Sequence, residues 1–87
     1  MKFKDVLSYV SQLDELSESE RESLLEYMKA NEDNILIDSE VVDDAPYMDA
    51  YYNVTVDGPD NFYLVFEKGC DTDHLSLLEL DCIALNW

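Results

Sequence analysis

Between Asp38 and Asp60 the chain has no lysine, arginine or histidine, although seven carboxylates and three tyrosines fall there. Over all 87 residues, five basic side chains stand against 21 acidic ones, and the formal net charge is −16. This shortage of cations argues against direct binding to nucleic acid, which needs a basic patch against the phosphates. It disfavours anionic membrane surfaces for the same reason. Cysteine is scarce too. Cys70 and Cys82 are too few for a disulfide framework, and both are expected to be reduced, Cys82 as a small core residue of an apolar stretch. No apolar run approaches the roughly 18 residues of a membrane-spanning helix. The opening "MKFKDVLSYV" alternates charged and apolar residues and does not lead into a hydrophobic run. No signal peptide is read, and a soluble, cytoplasmic protein is expected. Glycine and proline number two each, and no linker, repeat or low-complexity tract divides the chain. Residues 1–87 are expected to form a single domain. Apolar residues are 47% of the total, too many for a disordered acidic tail.

Motifs for catalysis or metal binding are also missing. His74 is the single histidine, and its neighbours Asp73 and Ser76 are close in sequence, an arrangement that rarely assembles into a triad. "DTDHLS" begins like a calcium loop and stops at the second ligand. Cys70, His74 and Cys82 lack the fourth ligand and the paired C-x₂₋₄-C spacing common in structural zinc sites. The expectation is no enzyme, no metal and no cofactor.

What is present is a change of hydrophobic period along the chain. Phe3, Val6, Leu7, Val10 and Leu13 follow one helical face, which predicts a helix near 3–13. Ser17 and Glu20 have the spacing of a capping box, and Glu18, Glu20 and Glu22 crowd a first turn. A second helix is predicted over 18–30, burying Leu24, Leu25 and Met28, with Asn31 as its stop. From Ile35 the period falls to two. Four antiparallel strands are predicted near 35–42, 50–57, 62–67 and 77–85, with a turn at Asp57-Gly58-Pro59-Asp60. In the last strand the alternation sets Leu78, Leu80, Cys82 and Ala84 against Glu79, Asp81 and Ile83. The fold class is α+β, two N-terminal helices packed on one face of a four-stranded antiparallel sheet, with an acidic outer face.

That outer face carries the functional expectation. Strand parity points Asp38, Glu40, Glu67, Glu79 and Asp81 away from the helices. Asp49 and Asp57 bracket the second strand on the same parity, with Tyr51 and Tyr63 among them. The 43–49 loop adds Asp43, Asp44 and Tyr47, and Asp60 lies at the turn. Lys68 is the sole cation in the sheet region, and ten acids lie between Ala30 and Glu67 with no Lys or Arg. Ordinary surfaces mix both signs. Sixteen charges over a diameter of roughly 30 Å is close to the density of duplex DNA, one per about 1.7 Å.

A basic, nucleic-acid-binding protein, such as a nuclease or its complex, is the expected partner. The first reading is a nucleic-acid mimic: carboxylates occupy sites that normally hold phosphates, and Tyr47 and Tyr51 act as anchors. In size and acidity the chain has the general character of phage-encoded inhibitors of restriction or CRISPR nucleases, a likeness of type carried by no motif. An immunity protein or antitoxin against a cationic nuclease toxin has the same physics. A small acidic secretion chaperone, dimeric and binding through apolar patches, is the reading from another class. The sequence leaves monomer and dimer both open.

Overall fold

The computed structural model describes residues 1–44 and 49–82, with Asp44 and Asp49 as backbone. Its elements run α1 (Phe3–Val10), α2 (Glu18–Ala30), a short 3-10 turn (Glu32–Asn34), β1 (Leu36–Asp44), β2 (Asp49–Asp57), β3 (Tyr63–Gly69) and β4 (Leu75–Asp81). The four strands form one antiparallel sheet in the order β1-β2-β3-β4. The class is α+β.

Helix α1 stops three residues earlier than its hydrophobic face suggests. A third turn would use the Ser8 carbonyl, but the Ser11 hydroxyl and the Gln12 side-chain amide donate to it at 2.6 and 3.0 Å. Such local side-chain bonds compete with the helix for its carbonyls. The chain then tightens into three-residue turns, in which Gln12, Leu13 and Leu16 donate to the carbonyls of Tyr9, Val10 and Leu13. Leu13 is still fully buried and Leu16 nearly so. Arg21 donates to the Leu13 carbonyl at 3.0 Å, tying α2 to this linker.

Helix α2 has the predicted bounds, because its start is written in side chains. Ser17 Oγ accepts from Glu20 N–H at 3.2 Å, and Glu20 Oε1 accepts from Ser17 N–H at 2.9 Å. The Glu20 carboxyl is held below its ordinary pKa, chiefly by that bond from the Ser17 backbone. At the other end Asn31 is the cap residue, and its side-chain amide donates to the Tyr27 carbonyl at 2.8 Å.

The core lies between the helices and one side of the sheet. Val6, Val10, Leu13, Leu24 and Met28 meet Val54, Val56, Leu64 and Phe66, all fully buried. At about 1.5–3 kcal/mol for each large apolar side chain removed from water, this layer is the main source of stability. Tyr27 spans the layer: its ring lies 5.0 Å from that of Phe62, and its hydroxyl donates to the Pro59 carbonyl. Burial pushes the Tyr27 phenol up, with a smaller contribution from Asp60.

Three strand boundaries differ from expectation by two residues, the first being the end of β3, at Gly69 and not at Glu67. β1 continues to Asp44, so Asp43 and Asp44 belong to a strand and not to a loop. β4 starts at Leu75 and is described as far as Asp81; Ile83 and Ala84 lie outside the described residues. A bulge explains a further difference. Val65 pairs with Glu79 and Phe66 with Leu77, which leaves Leu78 as the extra residue, 52% exposed where alternation predicts it inside. The bulge shifts the inward positions before it to Leu75 and Leu77, while Leu80 keeps its predicted place. The β2–β3 turn is also displaced. Asp60 and Asn61, at φ 58° and 64°, are its left-handed centre, and Phe62 N–H closes it on the Pro59 carbonyl.

Candidate partner-binding face

The register lays out the outer side of the sheet in rows that cross the strands. One row reads Leu36, Asp57, Tyr63, Asp81; the next Asp38, Thr55, Val65, Glu79; the third Glu40, Asn53, Glu67, Ser76. Val42, Tyr51 and Gly69 follow, and the backbones of Asp44 and Asp49 pair at the end. Asp38, Glu40, Asp57, Glu79 and Asp81 are exposed, and Glu67 is half-buried.

Across the strands this layout keeps like charges apart, except at the end where Asp44 pairs with Asp49. In these three rows each acid faces a neutral neighbour: Thr55 beside Asp38, Asn53 between Glu40 and Glu67, Tyr63 between Asp57 and Asp81. Acids in one row are therefore at least two strands apart, about 10 Å. In water two unit charges at that distance repel by about 0.4 kcal/mol before salt screening. Along β1, Asp38 and Glu40 are closer, at about 6.6 Å. The repulsion is spread thinly enough for an ordinary core to hold the face together.

Three further placements define the face. Asp43 pairs with Ala50 and shares the parity of Ile37, Ser39 and Val41, so it lies on the helix side of the sheet, exposed at its end. Lys68 shares the parity of Phe66 and also belongs to the helix side. Its ammonium donates to the carbonyls of Gly69 and Thr72 and lies 5.8 Å from the centre of the Tyr9 ring. Among the described residues, the outer face thus carries no lysine or arginine. Glu67 is not free: its carboxylate lies 2.8 Å from His74 Nε2. Tyr47 lies outside the described residues.

The centre of the face is not acidic. Val65 is nearly buried there, beside the half-buried Thr55 across the ladder and Tyr63 along its own strand, with the half-buried Tyr51 two rows away. The side-chain oxygen of Asn53 is buried and accepts no hydrogen bond. Strand parity shows that Asn53 shares a face with Tyr51 and Thr55, but nothing in the sequence signals an unpaired acceptor. At the β2–β3 end, a shallow notch of about 670 Å³ is lined by Asp57, Asp60, Asn61, Phe62, Tyr63 and Asp81. Among the described residues, no three of His, Cys, Asp and Glu converge as metal ligands. No helix there is long and apolar enough to cross a membrane.

No protein-family model, curated protein or solved structure matches this chain.

Proposed function

We propose that this protein is a nucleic-acid mimic that inhibits a nucleic-acid-binding protein, in particular a nuclease of host defence, by covering its basic surface. The observation that carries this reading is a sheet face with carboxylates from edge to edge and no lysine or arginine among its described residues. Five exposed acids on this face are held by backbone ladders, so their positions are fixed more firmly than those of acids on a loop. The aromatic and apolar residues set among these acids, Tyr51, Tyr63 and Val65, give a partner something to pack against once its cations are seated. Glu40 and Glu67 lie on either side of Asn53, and such carboxylates suit a guanidinium, which donates several hydrogen bonds at once. The molecule's long axis is 39 Å. Sixteen net charges along it give one per about 2.4 Å, sparser than the roughly 1.7 Å of duplex DNA but of the same order.

The test is competition. A nuclease captured on the immobilised protein at low salt is titrated with its own nucleic acid, with and without the free protein. The expected result is mutual exclusion, with an on-rate that falls steeply between about 50 and about 200 mM salt. Neutralising one acid, as in Asp38→Asn, should cost about 0–1 kcal/mol of binding. Neutralising Asp38, Glu40, Asp57, Glu79 and Asp81 together should abolish it while the fold is retained. A nuclease that holds its nucleic acid and this protein together, each at unchanged affinity, would overturn the reading.

A further inference from the structure

The two edges of the sheet are treated differently. On β4, the Leu77 N–H points out of the sheet and is taken by the Glu15 carboxylate at 2.7 Å, with the Ser76 hydroxyl donating to the same oxygen at 3.3 Å. The bulge at Leu78 further interrupts that edge. Bulges and covering groups are the usual means of stopping a sheet edge from pairing.

The β1 edge has neither. Which of its groups are unpaired follows from the ladder. Cys70 N–H donates to the Ala50 carbonyl and Gly58 N–H to the Phe62 carbonyl, so even-numbered residues of β2 bond to β3 and odd-numbered ones to β1. Through the β1–β2 register, residues 36, 38, 40 and 42 turn their backbone groups toward β2. Ile37, Ser39, Val41 and Asp43 turn theirs outward. Among the described residues none of these four has a backbone hydrogen-bond partner. The α-amino group of Met1 reaches the Ser39 hydroxyl at 3.5 Å and leaves the backbone open. Leu36 and Val41 on this strand are 72% and 58% exposed.

We propose that the open edge of β1 takes up an extended, basic strand of the partner by antiparallel strand addition. The inference rests on the mimic reading for the charge of the partner, and it adds the mode of attachment. In an antiparallel pair, residues that exchange backbone bonds lie opposite each other with side chains on the same face. Partner residues bonding to Ile37, Ser39 and Val41 therefore place their side chains on the helix side, where Ile37 and Val41 favour apolar groups. The intervening residues place theirs over Asp38 and Glu40, which favour lysine or arginine. A second copy of this chain is disfavoured, because self-pairing would bring Asp38, Glu40, Asp43 and Asp44 of both copies together.

The test uses a blocked nine-residue peptide of alternating lysine and valine, the length of β1, added to the ¹⁵N-labelled protein at low salt. Amide exchange at Ile37, Ser39, Val41 and Asp43 should slow by about tenfold or more at saturation. Methylating the lysine backbone nitrogens, which would point away from β1, should leave this protection intact. Methylating the valine nitrogens should remove it. Val41→Pro, which deletes an outward N–H and no ladder bond, should also remove it; the methylated peptides test the native chain whether or not that variant folds. Equal behaviour of the two methylated peptides would overturn strand addition, as would an absence of protection. If both shift Thr55 and Val65 equally, the cation-attracting face survives and the edge proposal alone fails. A dimer whose β1 amides are already protected without peptide would likewise overturn it.

Discussion

At the residue scale, a few polar contacts fix how the helices and their linker meet the sheet. Glu15 is the clearest case. The Leu77 N–H bond is the largest of the effects holding its carboxyl below the ordinary glutamate range, and burial, the next largest, opposes it. A pKa lowered by folding contributes stability that is complete above the unfolded value and lost as pH falls through the folded one. Charge-assisted bonds contribute about 1.5–3 kcal/mol in general. Glu15 is exposed to solvent, and screening reduces that to about 1 kcal/mol. Glu15→Gln should therefore unfold at lower urea concentration at neutral pH, and the gap from wild type should close in acid below the glutamate range. A gap that persists there would mean that packing, not the charge, sets the cost. Tyr27→Phe removes the hydroxyl that reaches Pro59 and should cost about 1 kcal/mol in the same measurement. Asn61→Ala puts at φ 64° a residue that tolerates the left-handed region less well than asparagine does. It should cost about 1 kcal/mol.

At the element scale, what the sequence revealed and what it hid have separate physical causes. Helix α2 was legible at both ends because Ser17, Glu20 and Asn31 mark it with local side-chain chemistry. The parity of Asp38, Glu40, Asp57, Glu67, Glu79 and Asp81 was legible because a strand repeats every two residues. The end of α1 was not, since apolar spacing continues through Leu13 while Ser11 and Gln12 take the Ser8 carbonyl. Nor was the bulge, which is a relation between two strands and leaves no mark on either one. Register was hidden for the same reason, so the neutral residues that separate the acids could not be read from their spacing. The bulge leaves Leu78 of β4 exposed, while Leu64 of the neighbouring β3 is in the core. Leu78→Ala should change stability by less than about 0.5 kcal/mol, whereas Leu64→Ala, fully buried, should cost about 2–5 kcal/mol. Equal losses in chemical denaturation would show that Leu78 is packed in solution.

At the scale of the whole molecule, charge and dimensions set the response to salt. The body measures 39 × 25 × 20 Å, and at 0.01 M salt the screening length, about 30 Å, exceeds two of these dimensions. Every acid then feels most of the others. At 0.15 M the length is about 8 Å, shorter than the two-strand spacing within a row. Raising salt between these limits should stabilise the fold by on the order of 1 kcal/mol, a Tm increase of about 4–8 °C for a domain of this size. A Tm independent of salt would show that the acids are compensated within the fold. The strand order has a different consequence, in time. Because β1, β2, β3 and β4 are neighbours in the sheet in the same order as in the chain, each strand pair forms between segments that are already close. No remote segment must be found before a ladder can close. Such local strand pairing favours rapid formation of the sheet, and stopped-flow refolding followed by a sheet signal should show its main phase within milliseconds. A newly made chain would then spend little time with its apolar strands open to aggregation.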